Sequence, residues 1–338
     1  MSTFEKLRNR KTRLLQILAL IVVTLGCALT PIAAQELTKV KCAVITTAST
    51  APLIVGARKG IFKKYGFDVE VVPVGTGVQA SQALASSQAD WSGSGIESTV
   101  VAWGTELPYQ AYAMYAKGGD AYGILVRKDS GIKKFEDLKG KRVAVTNGTA
   151  LAQALSQVLL SVGLPGNAAL RVNATLSNMG QMMVAGSVDA MVGIEPFLTL
   201  AQEQMGSNGV LLARMGKYVQ GGGFFAISNK WADANRDKIP KAVEALWESE
   251  HFIRHNQQEA AAIVAEFTKT EPRVINIAFS HYDFNPLIDK FTQESIVKTA
   301  DFLVKEGLLP VPVNPARHLE NALRIEKALT ASRLDLLN

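Results

Sequence analysis

The sequence predicts an α/β protein of two lobes, each a series of strands alternating with helices, followed by a helical tail. Three observations carry this expectation. From residue 40, short apolar runs alternate with stretches of helical periodicity; the alternation restarts near Phe135; and from Trp231 only helical stretches follow, punctuated by Pro240, Pro272, Pro286 and Pro310. The 338 residues leave room for two or three domains, and 48% hydrophobic with 20% charged residues excludes a disordered chain and a polytopic membrane protein.

The first segment reads as one that is removed. Lys6, Arg8, Arg10, Lys11 and Arg13 face only Glu5, an apolar run fills 14–29, and the stretch 31–34 (PIAA) precedes Gln35. Basic, apolar and small-residue segments in that order describe a secretory signal peptide over residues 1–34, cleaved after Ala34. The apolar run falls short of the ~20 residues a spanning helix needs. The expected compartment is therefore the periplasm. This segment also holds most of the formal charge of +6, so the basic excess gives no argument for nucleic acid. Cys27 leaves with it and Cys42 alone remains, which allows no intrachain disulfide. Four scattered histidines cannot build the common Cys/His zinc spacings, and His251 and His255, four apart, read as one solvated helix face. Neither a metal nor a cofactor is expected.

In the mature chain KCAVITT is a strand, APLIVGARKGIFKKYG a helix ended by Gly66, and DVEVVPV the next strand. A helix through 79–87, a short strand at 90–93, a helix at 97–103 and the strands YQAYAMYAK and AYGILVRKDS complete the first series. In the second, KRVAVTNG is a strand and ALAQALSQVLLSVG a helix closed by Gly163; ALRVNATL, NMGQMMVAG, VDAMVGIEP and LTLAQEQM repeat the alternation. VLLARMG and the run Gly221, Gly222, Gly223 lead into an apolar stretch at 224–228. The expected organisation is one lobe from 35–124 and 228–338, a second from 125–227, and crossings near 122–126 and 222–228. Two Rossmann-like lobes with a cleft between them follow.

Enzymatic signatures fail on their context. Gly75, Gly77 and Ala80 fit G-x-G-x-x-G/A, but Pro73 interrupts the strand and the unit is second in order, so a Gly-rich turn into a helix is the reading. Ser130 and Lys133 spell S-x-x-K without its companion motifs, and nothing assembles a nucleophile, base and orienter. More informative are four turns that each leave a strand and enter a helix: 47–52 (TASTAP), 92–98 (SGSGIES), 147–150 (NGTA) and 193–196 (GIEP). Ligands of open parallel sheets bind outside those strand ends, where free N–H groups and helix dipoles attract negative charge. Ser49, Thr50, Ser94 and Thr149 add hydroxyls able to donate to an oxyanion, Pro52 and Glu97 stand in the same turns as further candidate ligand-binding residues, and Gly222 is a hinge or a point of close backbone approach. Phe224, with Trp91, Trp103 and Phe225, is either a cleft wall or core. Ser, Thr and Asn in such turns are also ordinary helix caps, and both roles stay open.

The run APLIVGARKGIFKKYGFDVEVVPVGTGVQASQALASSQADWSGSG resembles the opening of solute-binding proteins of ATP-driven (ABC) importers, in the sulfonate, taurine and nitrate branch. FEDLKGKRVAVTNGTA is similar to the start of their second lobe, and VDAMVGIEPF to their D-A-x-V-x-x-E-P signature. The resemblance covers about residues 40–309 and implies a type II periplasmic binding protein-like fold. It also implies that Ser49, Thr50, Ser94, Gly95, Thr149 and Glu195 face the cleft, and that a small molecule is captured by hinge closure and delivered to an ABC permease with its ATPase subunit, by a monomer that makes and breaks no bond. Glu97 and Glu195 beside an anion site favour a zwitterion such as taurine, since an unpaired carboxylate near a bound anion is unfavourable. An aromatic acid or a pyrimidine-like vitamin precursor, an exported enzyme of the fold, and a sensory rather than an importing role are the alternatives.

Overall fold

The computed structural model describes residues 36–338; the segment read as a signal peptide, 1–34, lies outside the described residues. The chain opens with β1 (Thr38–Ile45), α1 (Ala51–Arg58), α2 (Ile61–Lys64), β2 (Phe67–Val74), α3 (Gly77–Ala85), β3 (Trp91–Gly95), α4 (Ile96–Gly104) and β4 (Tyr109–Lys117). It continues through β5 (Tyr122–Arg127), β6 (Arg142–Val145), α5 (Ala150–Ser161), β7 (Leu170–Asn173), α6 (Leu176–Val184), β8 (Ala190–Ile194), α7 (Phe197–Met205), β9 (Gly209–Arg214) and β10 (Gly222–Ser228). Six helices follow: α8 (Asn229–Ala234), α9 (Ile239–His255), α10 (Gln257–Thr268), α11 (Pro272–Phe279), α12 (Lys290–Lys305) and α13 (Pro315–Ser332).

Two five-stranded sheets result, ordered β2-β1-β3-β10-β4 and β7-β6-β8-β5-β9. In the first, β1 pairs parallel with β2 and β3, while β10 runs antiparallel to β3 and β4. The second repeats the plan, with β6 parallel to β7 and β8 and β5 antiparallel to β8 and β9. In each sheet the antiparallel strand is the one the chain enters after arriving from the other. The expected crossings at 122–126 and 222–228 are thus strands β5 and β10 themselves, and the chain passes between sheets just before each, at 118–121 and 215–221. Both strands are apolar runs, and apolarity marks a strand without saying which sheet it joins.

Local chemistry sets the helix starts. Pro52 stands in the first turn of α1, where its missing N–H removes no helical bond. The hydroxyls of Thr76 and Ser228 accept the N–H of Gln79 and Trp231, and Asp289 accepts that of Thr292 at 2.7 Å. The core of the first sheet is built on Trp91, fully buried, with Phe67, Phe225 and Trp231 edge-on at 5.0, 5.1 and 5.2 Å. On the other face, α4, α12 and α13 enclose Ile96, Val100, Trp103, Phe224 and Leu303. Helices thus cover the first sheet on both sides, and the apolar side chains of β4 and β10 divide between the two cores.

Candidate functional site

A cavity of about 100 Å3 lies where the C-terminal ends of the parallel strands of both sheets meet. The β1–α1 turn contributes Thr47 and Ser49, whose hydroxyls are 2.8 Å apart. The β2–α3 turn brings Gly75, Thr76 and Gly77, and the β3–α4 turn brings Gly95, Glu97 and Ser98. From the second sheet come Thr146 and Thr149 ahead of α5 and Thr175 ahead of α6. Tyr115 of β4 and Tyr122 of β5 supply aromatic walls, and Gly222 closes the side where β10 begins.

Chemically the cavity is rich in donors and has one acid. Thr149 caps α5: its hydroxyl donates to the carbonyl of Thr146 at 2.7 Å and accepts the N–H of Leu151 at 3.3 Å. Burial pushes the phenols of Tyr115 and Tyr122 up, so both remain protonated at neutral pH. Glu97, in the first turn of α4, is only 5% exposed, and its Oε1 has no hydrogen-bond partner among the described residues. Desolvation pushes its carboxyl up to about 7, against the pull of its own backbone N–H and that of Ala150, the first residue of α5. Glu97 of the first sheet and Ala150 of the second both line the cavity. No Lys, Arg or His lines the cavity among the described residues.

Of the residues expected to bind ligand, Ser49, Gly95, Glu97, Thr149 and Gly222 converge on this cavity. The others do not line it. The Thr50 hydroxyl donates to the carbonyls of Ile45 and Thr47 at 2.7 and 3.0 Å, which fastens the turn rather than presenting a donor. Pro52 is buried inside α1. Ser94 points away along β3, 3.3 Å from Ser81 Oγ, which in turn receives the Tyr109 phenol at 2.8 Å. Glu195 is fully buried but engaged elsewhere, receiving Arg214 at 2.6 Å and the Thr199 N–H at 3.1 Å. Phe224 packs against Trp103 at 5.8 Å in the outer core, and Trp91 and Phe225 sit in the inner one. Helices on both faces of β10 claim its side chains, so the aromatic wall is made by tyrosines instead.

Missed by sequence reasoning were Thr76, Thr146, Thr175, Tyr115 and Tyr122. Thr76 and Thr175 occupy strand-to-helix turns like those singled out, so the same rule applied to VGTG and NATL finds them. Nothing in YQAYAMYAK distinguishes Tyr115 from its neighbours, since which face of β4 meets the cavity depends on pairing with β10.

The family model described as NMT1/THI5 like matches residues 47–260, well over half the chain. The chain belongs to this family. The match contains every cavity turn named above and β10. Among relatives of this NMT1/THI5-like chain, a putative aliphatic sulfonates-binding protein of Bacillus subtilis (strain 168) is 24% identical over 329 residues, covering 94% of this chain and 97% of the relative. In structure it is similar to the alkanesulfonate-binding protein SsuA from Xanthomonas axonopodis pv. citri, solved bound to MOPS, with a TM-score of 0.72 and 21% identity over 82% of this chain and 96% of that one. The periplasmic nitrate-binding protein NrtA from Synechocystis PCC 6803 gives a TM-score of 0.67 at 18% identity, over 90% and 92%. The NMT1/THI5-like chain therefore has the periplasmic binding protein fold. Among its described residues no helix is long and apolar enough to cross a membrane.

Proposed function

We propose that this protein is the extracytoplasmic solute-binding subunit of an ABC importer, which captures a small organic anion or zwitterion of the sulfonate or taurine type and presents it to a permease. The observation that carries the reading is one cavity walled by strand-to-helix turns of two sheets that the chain joins only at 118–121 and 215–221. A ligand touching both walls gains contacts that exist only when they are close, so it shifts the population toward closure by that differential affinity. Its acidic end is held by the cavity's hydroxyls beside the starts of α4 and α5, where the helix dipoles favour negative charge. The sulfonate-binding and nitrate-binding names of the relatives support the ligand class, and their coverage of nearly the whole chain supports the transport role.

The test combines two measurements. A thermal-shift screen of alkanesulfonates, taurine, nitrate, aromatic acids and pyrimidines should yield a ligand that raises stability by about 2.7 kcal/mol at a hundredfold excess over Kd. Small-angle scattering with that ligand should show a smaller radius of gyration than without it. A tightly bound ligand that leaves the scattering curve unchanged refutes hinge closure.

A further inference from the structure

Away from the cavity, the two lobes meet again between α5 and α12. α5 begins at the cavity with Ala150 and, further along, carries Gln153 and Ser156, whereas α12 packs on the first sheet. Thr299 of α12 donates to Gln153 Oε1 at 3.2 Å, and each of the two residues is only 3% exposed. Just past the end of the same helix, Glu306 receives Nη1 of Arg171, from β7, at 3.3 Å. That guanidinium is already aimed, because its Nη2 donates to Ser156 Oγ at 2.5 Å and to the Gly166 carbonyl at 2.8 Å within the second lobe. Pairing with Glu306 therefore costs it little side-chain freedom. Beside these contacts runs an open groove of about 970 Å3, lined among others by Gln157, Lys217, Lys298 and Asp301. The junction is polar and flanked by solvent, the character of interfaces between domains that move.

We propose that the Thr299–Gln153 and Arg171–Glu306 contacts form a latch that favours the closed arrangement of the lobes and sets ligand affinity from outside the cavity. The inference rests on the reading of the cavity as a ligand site completed by hinge closure. All four residues stand outside the cavity lining. When the lobes part, water reaches Gln153 and Glu306, and the Thr299 hydroxyl can turn to a carbonyl of its own helix. The latch thus contributes only the surplus of its protein contacts over those made with water. Its effect on ligand is indirect. The apparent Kd is the intrinsic value divided by the closed fraction, so a latch that raises this fraction tightens every ligand by one common factor. A cavity residue instead acts on each ligand according to its chemistry. A second ion pair, Arg273 of α11 with Glu203 of α7 at 2.7 Å, joins the tail helices to the second lobe but is 56% and 44% exposed, so it contributes little and serves as the control.

The test combines Thr299→Val with Glu306→Gln, two changes that keep side-chain shape and remove the donor and the charge. In small-angle scattering without ligand, the double variant should have a larger radius of gyration than the parent, with an unchanged circular dichroism spectrum. In calorimetry with taurine, ethanesulfonate and nitrate, each probe that binds the parent should bind the variant more weakly by one shared factor of about ten, the combined effect of one hydrogen bond and one half-buried ion pair. Glu203→Gln should change neither reading. If the double variant fails to fold, Glu306→Gln alone carries the same test with a loss of about threefold. Superposable ligand-free scattering curves of parent and variant, or a loss that differs from probe to probe by more than threefold, would overturn the latch. Superposable ligand-free curves together with compaction of both proteins by a probe would leave hinge closure standing without the latch. Expansion of the variant when no probe binds the parent would support the latch and count against the sulfonate class of ligand.

Discussion

Replacing Glu97 by glutamine should stabilise the ligand-free protein, and the gain should depend on pH. The carboxyl is held near 7 in the folded state against 4.5 for an ordinary glutamate, because burial penalises its charged form. At pH 4 folded and unfolded chains both carry the proton, and the group costs nothing. Above 4.5 the unfolded chain ionises while the folded one does not, so stability falls as pH rises until the folded carboxyl itself ionises near 7. At 1.36 kcal/mol per pH unit, the parent loses about 3 kcal/mol across this window through this one side chain. Glutamine has no proton to lose and keeps an oxygen for the Ala150 N–H. The variant should therefore match the parent near pH 4 and exceed it by up to about 3 kcal/mol at pH 8. For roughly 300 folded residues that corresponds to about 5 °C in melting temperature. Urea unfolding of both proteins at half-unit steps from pH 4 to 8 reads the difference directly. Parallel stability curves would show that Glu97 is solvated or paired in the folded state, and would remove the physical basis for its role in the cavity.

Four other substitutions separate the cavity from its surroundings. Thr149→Ala should weaken ligand binding and cost about 1 kcal/mol of stability through the lost cap, whereas Ser94→Ala should leave calorimetric affinity unchanged, because its hydroxyl faces Ser81 rather than the cavity. Gly221→Ala places a Cβ against the Tyr122 ring and the Gly118 carbonyl, and should lower the melting temperature with a cost of about 1–3 kcal/mol. Glu250, fully buried on α9 with neither carboxylate oxygen partnered among the described residues, is pushed well up by burial, although Arg254 and Lys117 pull it back. Glu250→Gln should gain stability over the parent as pH rises above 4.5 while ligand affinity stays fixed, and a gain that is the same at all pH values would contradict this assignment.

What the sequence makes legible here is the alternation of elements and the places where strands hand over to helices. Four turns chosen by that rule include the residues Ser49, Gly95, Glu97 and Thr149, because a strand-to-helix turn at a sheet end fixes where the residue is, whatever the residue does. The rule does not fix which way a side chain points. Thr50 and Ser49 are adjacent, yet the first turns inward to its own carbonyls and the second lines the cavity. Glu195 shares a turn with the cavity-lining Ile194, but pairing of β5 with both β8 and β9 brings Arg214 within reach of it. That partner is 19 residues away in sequence and becomes a neighbour only through sheet order. Phe224 fails as a wall for a related reason, since only the position of β10 inside the first sheet tells that both its faces are covered.

The position of β10 also bears on how the chain acquires its shape. Strands β5 to β9 are contiguous in sequence, so the second sheet can form as soon as residue 214 is available. The first cannot: β10 is inserted between β3 and β4, and until residues 222–228 arrive, the two strands it joins have no ladder between them. During vectorial synthesis the half that begins later is therefore the half that can finish earlier. A truncation after β9 should leave an intact second sheet attached to a first one whose β3 edge and β4 have lost their partner, exposed strand edges of the kind that invite aggregation.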